Sequence, residues 1–280
     1  MFEISSIDER IQEYLEEPAW NLPVFDRGAR LVQQEASKPN PNAEKLTQCI
    51  LQDQVLTAEV LSLANAPFFH GIKKVEHIQE VLARVGLRGV LDCVTTAIHR
   101  KASNTKSSFV QQYMTNLWKH SAACAYGTQW LVRRCGWEEL IVEAYIAGLL
   151  HDVGKLLVLK AIISVMEKDK NTIRLTKIVA DEFLDALHTE YGSKLLRKWN
   201  LPEIYCEICQ EHHQARYDTS NILLVAVRLA NSACSKLGFG VREDREIQLE
   251  TSLEASVLGL SDITLAELEI ALEDYIARNT

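Results

Sequence analysis

Apolar residues recur at three- and four-residue spacing along nearly the whole chain, a period that predicts helices throughout. Residues 5–16 read as a short amphipathic helix with Ile7, Ile11, Tyr14 and Leu15 on one side. Pro18 and Pro23 punctuate the next segment, and 26–36 reads as a second helix. The stretch KPNPN (38–42) breaks the chain, and Asn42 is placed to cap a helix running through Leu46 and Ile50. Asp53 or Thr57 caps the next, whose Val55, Ala58, Leu61, Leu63 and Ala64 lead to a stop at Asn65 and Pro67. Beyond the loop at His70 and Gly71 come two helices split at Gly86, with Val81, Leu82 and Val85, then Val90, Leu91 and Val94, as their apolar faces.

The polar, aperiodic stretch KASNTKSS (101–108) is the expected boundary between subdomains. Helical periodicity resumes in segments near 109–134, 138–151, 155–168, 172–186, 189–199, 202–214 and 220–236. Residues 242–256 are charged and less regular, and Ser261 or Asp262 then caps a last amphipathic helix carrying Leu265, Leu268, Ile270, Leu272 and Ile276. Strand-like alternation is almost absent, so the expected class is all-α. The expected organisation is an N-terminal helix (1–20), a helical bundle (21–101) and a second helical subdomain that includes the C-terminal helix (108–280).

Composition narrows the function classes. A chain of 280 residues can bury a core without covalent staples. Its 38 acidic and 30 basic residues give a net charge of −8, against a nucleic-acid partner, which demands a basic face. Arg133, Arg134, Lys73, Lys74, Arg100 and Lys101 are too scattered to supply one. The seven cysteines (49, 93, 124, 135, 206, 209 and 234) lie mostly in apolar helical segments, with no signal peptide ahead of them. They read as reduced thiols of a cytoplasmic protein. No apolar run approaches the roughly 18 residues that a membrane span requires.

Candidate chemistry centres on AYIAGLLHDVGK (144–155), where an apolar, small-residue run delivers His151 and Asp152 side by side. Neighbouring helix positions point about 100° apart, so the two converge on one cation only where regular helix is interrupted, and Gly154 permits that. A neutral imidazole beside a carboxylate suits Fe, Mn or Zn. The alternative is a helix C-terminus with His151 on the dipole and Gly154 as cap.

The HDVGK pentapeptide resembles the signature of the HD superfamily of metal-dependent phosphohydrolases. The surrounding chain more narrowly resembles the HDOD family, an HD-related output domain of bacterial signalling. CILQDQVLTAEVLSLANAPFF (49–69) and HIQEVLARVGLRGVLD (77–92) carry the N-terminal part of the resemblance; LWKHSAACA, AGLLHDVGK, HTEYGSKLLRKWNLP and EHHQ come after them in family order. It implies that His120 joins His151 and Asp152 as a metal ligand, with His188, His212 and His213 as the further histidines of two-metal members. Small residues after His120 (Ser121, Ala122, Ala123 and Ala125) suit close packing on the helix that carries His151. Asp152 would bridge the metals, and Lys155 would be catalytic, balancing phosphate charge, only in a hydrolase.

Two departures weigh against hydrolysis. Asn231 stands where the superfamily's closing aspartate is expected, and the Gly-Tyr-Pro signature of the cyclic-dinucleotide phosphodiesterases is replaced after His213 by QARYDTSN. Asp218 is a candidate substitute ligand. The C-x-x-C of CEICQEHH puts Cys206, Cys209 and His213 on one helix face, where they either clip a metal or, as expected, bury against the core.

The expected function is therefore a non-catalytic, protein- or ligand-binding module of bacterial signal transduction with a partly retained metal site. A signalling protein partner or a nucleotide-like ligand is expected, and neither a nucleic acid nor a membrane. Partner contacts are expected on the surface between the N-terminal bundle and the second subdomain, with substitutions in 53–65 or at the subdomain junction expected to weaken partner capture. The chain shows no receiver, kinase or cyclase segment, so input is expected by association. The alternative is a metal-dependent phosphohydrolase acting on a nucleotide or phosphodiester.

Overall fold

The structure is a computed structural model, and it describes residues 4–16, 22, 31–32, 34–35, 38–66, 73–99, 108–168, 176–240 and 242–279. Those residues contain helices and no strand, so the chain is all-α as its periodicity predicts. In order the helices are α1 (Ile4–Leu15), α2 (Ala43–Ile50), α3 (Gln54–Ala64), α4 (Ile78–His99), α5 (Ser108–Arg134), α6 (Ile141–Leu150), α7 (Val153–Lys168), α8 (Lys177–Lys198), α9 (Glu203–Glu211), α10 (Ile222–Lys236), α11 (Leu253–Val257) and α12 (Asp262–Asn279). Most of the expected helix at 26–36, the loop at His70 and Gly71, and the polar stretch 101–107 lie outside the described residues.

Local chemistry sets several boundaries. The Asn42 side chain accepts from Lys45 N at 2.9 Å and starts α2. Asp53 rather than Thr57 caps α3, accepting from Val55 N and Leu56 N at 2.9 and 3.0 Å. Thr57 instead donates to Ile50 O. Gly86, at φ 78°, kinks α4 where the sequence predicts a split. Ser261 Oγ accepts from Thr264 N and opens α12. One expectation needs correction: 172–186 and 189–199 are not two helices, since α8 runs unbroken over Lys177–Lys198. No glycine or proline stands between the two expected segments, and the backbone had no cause to break there.

One buried apolar cluster extends from Ile11 in α1 to Ile276 in α12. Helix α5 packs on α6, α10 and α12; α7 packs on α8 and α1; and α9 lies against α8 and α6. The expected docking segment 53–65 is largely core: every residue of it is buried except Ser62 and Leu63, which are half-buried. A helix enclosed on all sides offers a partner little surface. None of the seven cysteines is in a disulfide. Among the described residues no helix is long and apolar enough to cross a membrane.

Candidate metal centre

Four helices bring five imidazoles and one carboxylate together. His120 lies midway along α5, and His188 midway along α8. His151 closes α6, Asp152 occupies the turn before α7, and His212 and His213 end α9. The interruption between α6 and α7 lets the adjacent His151 and Asp152 side chains converge. Gly154 plays a different part from the one expected. It is neither a cap nor among the residues at positive φ, but a Cβ there would stand 1.9 Å from the His188 carbonyl oxygen and 2.8 Å from Gly192 Cα. Its missing side chain lets α7 approach α8, and so lets Asp152 reach His188. Gly148 does the same for α6 on α5, where a Cβ would lie 2.7 Å from Cys124 O and 2.8 Å from Ala125 Cα.

The buried histidines share one orientation. Nδ1 faces a main-chain carbonyl oxygen in each: Phe239 O for His120 (2.7 Å), Gly148 O for His151 (2.8 Å), Leu184 O for His188 (2.7 Å) and Cys209 O for His212 (2.9 Å). A carbonyl only accepts, so each Nδ1 carries the proton and donates it, which in the neutral rings of His120, His188 and His212 leaves Nε2 as a bare lone pair. Burial pulls the His151 pKa down, but Cys124 and Asp152 outweigh it and hold the value well above the ordinary one, so that imidazole stands protonated. The Nε2 atoms converge on Asp152. Its Oδ2 has His120 Nε2 at 3.2 Å, His151 Nε2 at 3.4 Å and Lys155 Nζ at 2.6 Å. Its Oδ1 has His188 Nε2 at 3.3 Å and His212 Nε2 at 3.4 Å. The ligand atoms of Asp152, His188, His212 and His213 all lie within 4.8 Å of one another.

Electrostatics fixes what such a cluster accepts. Burial pushes the imidazoles of His120 and His188 down, and that of His212 down to about 4, so they stand neutral at pH 7. Burial opposes ionisation of Asp152, but the nearby Lys155 and His151 outweigh it and hold the carboxyl well below its ordinary range. Neutral imidazole lone pairs facing carboxylate lone pairs repel unless a cation lies between them. Asp152 Oδ1 is buried and, among the described residues, has no hydrogen-bond partner. An imidazole-rich set with one carboxylate suits a borderline first-row divalent ion, so the residues present fit the metal that the sequence leads one to expect.

The other sequence candidates fall outside the cluster. Asp218 is exposed and accepts from Ser220 N and Oγ at 2.9 and 2.7 Å. Cys206 and Cys209 are buried in the core, Cys206 donating to Pro202 O, while His213 turns to the imidazoles instead. A cavity of about 390 Å³ opens beside the cluster, with His120, Lys155, His188, His213, Asn231 and Arg242 in its wall. Arg242, which the sequence did not single out, donates to Asp185 Oδ2 at 2.7 Å. It comes from the charged, irregular stretch after α10, where no periodicity marks a site.

The comparisons with known proteins agree with this architecture. A curated but uncharacterized protein of Treponema pallidum (strain Nichols) is 27% identical over 220 residues, which is 75% of this chain and 39% of that protein. The chain thus spans about two fifths of that relative's length. The crystal structure of the MmoQ response regulator from Methylococcus capsulatus str. Bath superposes with a TM-score of 0.67 at 23% identity, covering 91% of this chain and 99% of that one. An HDOD domain protein of unknown function from Geobacter sulfurreducens gives 0.50 at 22%, covering 98% and 97%. Both share the fold. The HDOD domain family model matches residues 22–215, more than half of the sequence, and the chain belongs to the HDOD domain family.

Proposed function

We propose that this protein is a regulatory module of bacterial signal transduction that holds a divalent metal ion on its histidine–aspartate cluster and binds an anionic, nucleotide-like ligand in the adjoining cavity. The observation that carries this reading is the placement of the buried Asp152 carboxylate, ringed by imidazole lone pairs, beside a cavity whose wall presents Lys155 and Arg242. Two cationic side chains beside a bound metal ion favour phosphate-bearing ligands. The response-regulator description of MmoQ, a protein of the same fold, supports a signalling role. A signalling protein as partner and a cytoplasmic setting complete the proposal.

A non-catalytic role is favoured because Asn231 lines the cavity where the family resemblance calls for a carboxylate. A carboxamide adds no negative charge to hold a metal ion or to accept a proton from water. The test combines binding and turnover: calorimetric titration of metal-loaded protein with pyrophosphate and a nucleoside triphosphate, and assay of a phosphodiester with Mn, Fe, Mg and Zn. Binding without turnover is the expected result. Absence of binding to either anion contradicts the proposal.

A second reading, a metal-dependent phosphohydrolase, has one observation in its favour: His120, His151, Asp152, His188, His212 and His213 all converge. Metal in such a site lowers the pKa of bound water and polarises a phosphoryl group. Here Lys155 would balance phosphate charge from the cavity wall. This reading predicts turnover that disappears in His151→Ala and Asp152→Ala.

A further inference from the structure

The two halves of the cluster are not equivalent. One half consists of His120, His151 and Asp152 Oδ2, and the other of His188, His212, His213 and Asp152 Oδ1. We infer that this chain holds a single borderline divalent ion, of the Zn²⁺ class, and holds it in the second half. The inference rests on the metal-holding reading above and assigns the ion its ligands.

Three independent features of the chain converge on that half. The first is ligand number: three imidazoles and one carboxylate oxygen complete a four-coordinate set, whereas the other half offers two imidazoles and one oxygen. Asn231, the residue that would complete the first half by family resemblance, brings no charge.

The second feature is the partner of each carboxylate oxygen. Lys155 Nζ donates to Asp152 Oδ2 at 2.6 Å, and its side chain is only 13% exposed. That ammonium neutralises the oxygen and repels a divalent ion from its neighbourhood. Among the described residues Oδ1 has no such donor and is buried, and a cation in the second half satisfies it. Lys155 and an ion thus divide the two oxygens of one carboxylate.

The third feature is bracing. The turn that carries His212 and His213 is held from α10 by Arg228, whose Nη1 donates to His212 O at 2.8 Å and Gln214 O at 3.0 Å. Glu254 holds the guanidinium in turn, accepting from Nε at 2.6 Å. Ligands fixed before the ion arrives bind it with less ordering cost.

The test uses the 280-residue protein stripped with chelator and reloaded with Zn²⁺, read by native mass spectrometry, and with Co²⁺, read by visible absorption. Wild type is expected to take one ion, with the intense absorption of four-coordinate Co²⁺. His120→Ala is expected to keep that ion unchanged, and His213→Ala to bind it at least about tenfold more weakly. His213 is exposed, so this variant leaves the core intact, and circular dichroism checks that each variant folds. Lys155→Ala combined with Asn231→Asp is expected to take a second ion; one that still holds a single ion contradicts the stated cause of the asymmetry. Two ions in wild type, or an ion kept in His213→Ala and lost in His120→Ala, overturns the assignment and leaves the metal reading standing. No ion in wild type overturns both.

Discussion

Gly154 and Gly192 face each other where α7 crosses α8, and neither position has room for a side chain: a Cβ on Gly154 would approach Gly192 N and Cα to 2.8 Å, and one on Gly192 would approach Gly154 N to 3.0 Å. This contact sets how near the Asp152 turn comes to His188, and so whether the cluster closes.

Gly154→Ala therefore forces the two helices apart. The added methyl meets main-chain atoms, which cannot rotate away, and the expected loss is about 3 kcal/mol of stability, the upper end of ordinary overpacking. Urea unfolding measures it, and a loss of under about 0.5 kcal/mol, the range of a neutral surface change, contradicts the packing account.

The brace behind the His212–His213 turn gives a pH dependence with a definite sign. Burial raises the Glu254 pKa, but hydrogen bonds from Arg228 and Tyr217 outweigh it and leave the value below the ordinary 4.5. A carboxyl with a depressed native pKa contributes stability that is fully present above the unfolded value and fades as pH falls through the folded one. Stability of wild type should fall below about pH 4.5 more steeply than that of Glu254→Gln, which has no carboxylate to protonate. At pH 7 the substitution should cost about 1.5–3 kcal/mol, as a charged hydrogen bond is lost.

Asp53→Ala removes a buried cap that receives two main-chain N–H groups at the start of α3. The expected cost is about 1–2 kcal/mol. The same change probes the docking expectation for 53–65: because Asp53 is buried, any weakening of partner capture should vanish when the variant is compared at equal folded fraction.

Helical class, most helix ends and the His151–Asp152 pair were legible in the sequence, because each has a local signal, whereas His120, His188, His212 and His213 were singled out by the family resemblance. Asn42 and Asp53 stand as caps ahead of apolar runs, and the His151–Asp152 pair stands at the end of one. What was not legible depends on contacts between distant segments. Gly154 reads locally as a helix stop, and only its distance to the His188 carbonyl shows that it is a packing residue. The enclosure of α3 escapes a single-helix reading, although Val55, Leu56, Ala58, Val60 and Leu61 point all round it. Arg242 and Asp185 meet across 57 residues of sequence, and nothing in their neighbours announces the pairing.

Arg242 is 56% exposed and lines the cavity, so its truncation should weaken an anion without disturbing the metal. For Arg242→Ala the expected loss in pyrophosphate affinity is about 1 kcal/mol, roughly fivefold, with metal content unchanged. Calorimetry at two salt concentrations checks it. An affinity equal to wild type removes Arg242 from the ligand site.

Whether the cluster is a metal centre is decided by elemental mass spectrometry on protein purified without chelator or added metal, for wild type and Asp152→Ala. Asp152 is the one residue that both halves of the cluster share. Near-stoichiometric Fe, Mn or Zn is expected in wild type, and its loss in a folded variant. Wild type that carries no ion, or a variant that carries as much as wild type, contradicts the metal-holding role.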